Sequence, residues 1–237
     1  MIFNMKPNKH IIVVAGEPSG DLHGANLIKK LREKNPNLII TGIGGDKMSL
    51  AGMKLFFHIK ELSAMGLTEV IVQFRQIKQA FDLLRKNLAL KPDLLILIDY
   101  PGFNLKAAQY AKKLDINVLY YITPKVWAWN RSRLKKIKQY VDHAAIVFPF
   151  EEPIFKKADI PATYVGNPLL DYYEPNNYIS NASKSSTSAI TIGILPGSRE
   201  SEISNLFEIM LQSAILIEKA IDCGRNDAQV CSEICGQ

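Results

Sequence analysis

Short runs that are apolar at every position constrain this chain most. Residues 11–15 read IIVVA and residues 94–98 read LLILI. A strand with one wet face alternates apolar and polar side chains. A run with no polar member is covered on both faces, as in a parallel sheet. Further strands are predicted at Leu38–Ile43, Asn117–Ile122, Ala144–Phe148, Thr163–Val165 and Ile190–Leu195. Amphipathic helices lie between them. Leu22, Ala25, Ile28 and Leu31 share one face of the first. Leu67, Val70, Phe74, Ile77, Phe81, Leu84 and Leu88 form an apolar seam in another, with Arg75, Lys78, Arg85 and Lys86 off it. That pattern suits a helix packed on a sheet and also a helix lying on a membrane surface. Strand–helix alternation implies an α/β protein with a doubly wound, mostly parallel, Rossmann-like sheet.

The 237 residues, 47% hydrophobic and 22% charged, suffice for one large soluble domain and part of another. Residues 176–189, NNYISNASKSSTSA, are polar and serine-rich and read as a linker. They separate an expected domain at 1–175 from a segment at 190–237. That segment holds one strand, one turn and one helix, followed by a tail without period. A single βα unit cannot cover its own sheet, so the chain is expected to stop inside a second domain. The N-terminus lacks a signal-peptide core, and no stretch approaches the ~20 apolar residues of a membrane span. A cytoplasmic protein is expected. The charge of +6 suits phosphate groups, nucleic acid or an anionic membrane without choosing among them. Cys223, Cys231 and Cys235 fit no zinc spacing and read as free thiols. The histidines are scattered and no D-x-D element occurs, so neither a metal nor a cofactor is expected.

Ligands of open α/β sheets bind at the carboxyl ends of the strands. The first of these turns, GEPSGD, carries Glu17, Ser19, Gly20 and Asp21. Two carboxylates repel phosphate and accept hydrogen bonds from sugar hydroxyls, and the turn lacks the G-x-G-x-x-G of a dinucleotide site. A polyhydroxy substrate fits, although Ser19 or Asp21 reads equally as a helix cap. Asp99 follows a buried strand directly. Desolvation there raises a carboxyl pKa and suits a general base, and a turn former ahead of Pro101 is the competing reading. Trp127 and Trp129, followed by Asn130, suit a sugar-stacking or acyl-shielding rim as well as core packing. The turn of Gly197, Ser198 and Arg199 opens a helix and offers backbone N–H groups and a guanidinium to a diphosphate.

Several stretches together resemble the lipid-A-disaccharide synthase family. They are AGEPSGDLHGA, GIGGDKM, MGLTEV, LIDYPGFN, YYITPKVWAWNRSRLKKI, FPFE, YVGNPLLD and ILPGSRESEI, in family order over roughly residues 11 to 210. The resemblance implies a GT-B glycosyltransferase of two Rossmann-like domains from a Gram-negative bacterium. It implies inverting condensation of UDP-2,3-diacylglucosamine with 2,3-diacylglucosamine 1-phosphate, releasing UDP. By motif, Asp99 is the implied base, Arg199 the phosphate ligand and the GEPSGD turn the acceptor side. The seam around Met65 and Phe74, with the tryptophans, implies an acyl-chain or inner-membrane surface on the cytoplasmic face. A homodimer is compatible and nucleic acid is not expected as a partner. Family members continue past the GSR helix, so the resemblance implies an incomplete nucleotide-binding domain here. Two alternatives stay open: a non-catalytic remnant that binds acyl-sugar, and another GT-B enzyme such as a sugar-nucleotide epimerase or a different N-acetylglucosaminyl transferase.

Overall fold

A computed structural model describes residues 9–62, 70–125, 132–172, 192–197 and 200–225. The chain divides into two compact units, Met1–Glu174 and Pro175–Gln237. The first is an α/β unit on one sheet. Its strands are β1 (His10–Ala15), β2 (Ile39–Gly44), β3 (Lys54–His58), β4 (Leu94–Ile98), β5 (Asn117–Tyr121), β6 (His143–Ile146) and β7 (Ala162–Tyr164). All neighbours pair in parallel, in the order β3-β2-β1-β4-β5-β6-β7. The chain winds outward from β1 to β3, returns beside β1 as β4, and winds outward the other way. The sheet therefore reverses direction between β1 and β4.

The uniformly apolar strands feed two cores. Ile12 and Val14 of β1, with Leu95 and Leu97 of β4, face one side. There they meet α3 (Val70–Leu88), α4 (Pro101–Lys112), α5 (Ser132–Tyr140) and α6 (Glu152–Lys157) through Leu84, Ala108, Ile137 and Phe155. Ile11, Val13 and Ala15 face the other side with Ile96 and Ile98. They pack on α1 (Pro18–Lys34) and α2 (Asp46–Leu50) through Ala25, Ile28 and Met48. Each large aliphatic side chain buried this way contributes about 1.5–3 kcal/mol. Beyond the first residue of each strand, a polar substitution in β1 or β4 would be buried.

The structure corrects the sequence reading at four places. β3 was not among the predicted strands. KLFFH is short, lies at the sheet edge and buries only Phe57 fully. Of the predicted strand Ile190–Leu195, the described residues 192–195 carry no regular structure, and Ile192 and Leu195 are exposed; residues 190 and 191 lie outside the described residues. A strand needs a neighbour for its backbone groups, and none is described in the second unit. The helix that follows, α7 (Glu200–Arg225), runs past the point where a helical period is legible. In α3 the seam divides. Ile77, Phe81, Leu84 and Leu88 pack on the sheet, while Phe74 is 70% exposed. Leu67 lies outside the described residues.

Asp21 joins two elements distant in sequence. It is 5% exposed, and its carboxylate accepts from the backbone N–H groups of Gly45 (2.7 Å), Met48 (3.0 Å) and Lys47 (3.1 Å). These are the orphan donors at the start of α2, whose own N-cap residue Gly45 has no side chain to serve them. A five-residue helix has little else to hold it. Asp21→Ala should therefore cost roughly 2–3 kcal/mol, the combined scale of a lost cap and lost charge-assisted hydrogen bonds. Urea unfolding should show a lower midpoint with an unchanged slope, and Asp21→Asn should fall between the two.

Candidate functional site

The reversal of winding leaves a crevice at the carboxyl ends of β1 and β4, the position at which open α/β sheets take ligands. β1 delivers Gly16 and Glu17 to it, and β4 delivers Asp99 and Tyr100. These two turns touch. A Cβ on Gly16 would collide with the ring of Tyr100, so only glycine lets the ring lie over the first turn. The half-buried Glu17 is close enough to raise the Tyr100 phenol pKa, adding to the larger effect of burial.

The end of β4 is held in an uncommon conformation. Asp99 and Tyr100 both have φ of 45°, in the left-handed region. Each such non-glycine residue costs roughly 1–2 kcal/mol, and the proline after Tyr100 disfavours its conformation further. Strain of this kind persists only where the surroundings over-determine it, and it clusters at functional sites. Asp99 is partly buried, and burial raises its carboxyl pKa. The Tyr100 backbone N–H, Lys125 and Arg133 act in the opposite direction without cancelling the rise. The result is a carboxylate poised to take a proton, with two cations nearby.

The other predicted residues fall in different places. Glu17 and Ser19 lie on the first turn, Ser19 exposed and Glu17 the extended residue before α1, with no side-chain cap bond. Gly20 is buried, and a Cβ there would meet Ala15 at 3.1 Å, so it sets how closely α1 packs on β1. Asp21 does not face the crevice; its carboxylate is committed to α2. Gly197 belongs to the second unit and has φ of 104°, which favours glycine there. Ser198, Arg199, Trp127, Trp129, Asn130 and Met65 lie outside the described residues. Phe74 stands exposed on α3.

Two contributors were not singled out from sequence. Tyr100 reads only as the residue between an acid and a proline, and its part appears once β1 and β4 are adjacent. His23 sits in the second turn of α1. Its Nδ1 is buried without a hydrogen-bond partner and burial lowers its pKa. Its ring centroid lies 6.3 Å from that of Tyr172, whose hydroxyl donates to the Leu22 carbonyl at 3.0 Å. Thr123, just beyond β5, likewise keeps a buried hydroxyl oxygen without a partner. Unsatisfied polar groups at the carboxyl ends of strands are what a hydroxyl-rich ligand would satisfy.

The family model and the curated relatives point to one family. A family model described as lipid-A-disaccharide synthetase matches residues 11–226. The lipid-A-disaccharide synthase of Coxiella burnetii (strain Dugway 5J108-111) is 43% identical over 218 residues, covering 90% of this chain and 58% of the relative. That of Geobacter metallireducens is 45% identical over 215 residues, covering 89% and 56%. The chain thus spans somewhat more than half the length of the curated relatives it matches. Among solved structures, a UDP-GlcNAc 2-epimerase from Neisseria meningitidis bound to UDP-GlcNAc is similar with a TM-score of 0.46 at 13% identity, over 69% of this chain and 48% of that one.

The raised pKa of Asp99 has a consequence for stability. The folded chain keeps the proton over a window above the unfolded value of about 3.9. There the native state binds more protons than the unfolded state, so stability falls as pH rises through the folded pKa. At neutral pH the ionised group carries the whole burial penalty. Asp99→Asn should make the chain more resistant to urea at pH 7, and the advantage should vanish as the pH falls below about 3.9. An equal effect at both pH values would disconnect it from ionisation.

Proposed function

This chain belongs to the lipid-A-disaccharide synthetase family, and from that premise we propose that it provides the acceptor side of an inverting glycosyl transfer in lipid A biosynthesis. The donor is UDP-2,3-diacylglucosamine and the acceptor 2,3-diacylglucosamine 1-phosphate. Asp99, at the point where the sheet reverses, is the observation that carries the reading. Its carboxylate takes the proton of the acceptor 6-hydroxyl. The freed oxygen attacks the anomeric carbon of the donor from the face opposite the leaving group. The bond from that carbon to the diphosphate breaks, its electron pair stays on the diphosphate oxygen, and UDP departs. The desolvation that raises the Asp99 pKa strengthens it as a base.

Glu17 and Ser19 accept sugar hydroxyls on the first turn. Gly197, Ser198 and Arg199 serve the UDP phosphates, with the Arg199 guanidinium offsetting the charge that develops on the leaving group. Trp127, Trp129 and Asn130 border the acyl-sugar, and Met65 and Phe74 belong to a surface for acyl chains or the inner membrane. An exposed phenylalanine beside Arg75 and Lys78 supports that surface, since an anionic bilayer attracts both kinds of side chain. No helix among the described residues is long and apolar enough to cross a membrane, so the association proposed is peripheral.

Purified 1–237 and its Asp99→Asn variant decide the reading when assayed for acceptor binding and disaccharide formation. Asp99→Asn should keep acceptor binding and lower turnover by roughly 10²–10⁴, the range of general-base catalysis. Acceptor binding without turnover in the parent chain would restrict the function to an acyl-sugar-binding half. Failure to bind the acceptor would sink the proposal.

The membrane surface is checked separately. Phe74→Ser should weaken co-sedimentation with vesicles of phosphatidylglycerol and phosphatidylethanolamine, and added salt should weaken it further. Unchanged sedimentation would remove Phe74 from that surface.

A further inference from the structure

The left-handed pair at the end of β4 displaces the Asp99 carbonyl from the strand ladder. The Asp99 N–H still follows the ladder and donates to the Tyr121 carbonyl at 3.3 Å. The Asp99 carbonyl oxygen instead accepts from two side chains, the Tyr120 hydroxyl at 2.8 Å and the Asn104 amide Nδ2 at 2.7 Å. Asn104 Nδ2 also donates to the Ile98 carbonyl at 3.1 Å, and the Asn104 backbone N–H donates to the Tyr100 carbonyl at 3.0 Å. Three consecutive carbonyls, of Ile98, Asp99 and Tyr100, are thus tied to Asn104.

Both donors are fully buried. Tyr120 lies on β5 with its ring in the core, and its hydroxyl is the polar atom that reaches the displaced carbonyl. Asn104 leaves its own Oδ1 buried without a partner. A core position that carries an unsatisfied acceptor gains nothing from being asparagine unless its donor is needed. A buried tyrosine whose hydroxyl is spent on one backbone oxygen points the same way.

We propose that Tyr120 and Asn104 are positioning residues that hold Asp99 in its left-handed conformation and so keep its carboxylate at the crevice. The inference rests on the reading of Asp99 as the base for its bearing on catalysis, and on hydrogen-bond geometry for the positioning itself. With the clamp in place the carboxylate is half-buried and faces Lys125 of the loop after β5, Arg133 of α5 and the Tyr100 N–H, with Glu17 of the first turn beyond Tyr100. Without the clamp the peptide relaxes to an extended strand end and the carboxylate enters water.

The test is the titration of the Asp99 carboxyl carbon by NMR in the ¹³C-aspartate-labelled 1–237 chain, assigned by its loss in Asp99→Asn. Tyr120→Phe removes one hydroxyl and keeps the ring. It should move the Asp99 midpoint down toward the ordinary value of about 3.9. Asn104→Ser should do the same. A merely structural role would lower the Tm and leave the midpoint where it was, and that result in Tyr120→Phe overturns the proposal even if Asn104→Ser does not fold. The two readings separate cleanly. Full turnover in Asp99→Asn removes the base and leaves the clamp, whereas an unmoved midpoint removes the clamp and leaves the base.

Discussion

The structure depends on a strand that must be covered twice. β1 has no polar residue between Ile11 and Ala15, and its side chains alternate between two cores. Only helices on both faces can bury it, and a parallel sheet with helical crossovers supplies them. Because β1 is central, with β2 on one side and β4 on the other, the chain has to reverse its winding beside it. The crevice where Asp99 stands is therefore not a separate invention. It follows from the same apolar run that fixes the fold.

The carboxylates of the turns after β1 and β4 differ in their surroundings. Asp21 and Glu17 are four residues apart in one turn, yet Asp21 is spent on three backbone donors of α2 while Glu17 remains at the rim. Asp99 is the opposite of Asp21. It receives far less compensation for its burial, and its pKa rises. A carboxylate surrounded by N–H donors is compensated for its burial, and one that is desolvated with fewer partners is not. The first stabilises the fold. The second costs stability, and the cost is tolerated where chemistry needs it.

The sequence made the local and periodic features legible. The strands β1, β2, β4, β5, β6 and β7 were visible because each is a short apolar or β-branched run between turn residues. Asp99 was visible because it directly follows one of them. What escaped were contacts between distant segments. Asp21 caps a helix that begins 25 residues later, and no local pattern distinguishes it from a cap of its own helix. The packing of Tyr100 over Gly16 requires β1 and β4 to be neighbours, which sequence order hides. β3 was lost because an edge strand buries one face only in part, and KLFFH lacks both a continuous apolar run and clean alternation. Residues 192–195 show the converse: an apolar run supplies propensity, but a strand forms only with a partner.

The strained end of β4 connects stability to function. Two left-handed residues in succession, a proline after them and a desolvated carboxylate all oppose folding at one point. A sheet whose central strands are buried on both faces can tolerate such a defect at the carboxyl end of one strand, where the ladder stops. The core also supplies the means of holding it, because Tyr120 and Asn104 belong to the packed interior and carry only their polar tips to the crevice. The backbone at Asp99 is then held by side chains of the packed interior.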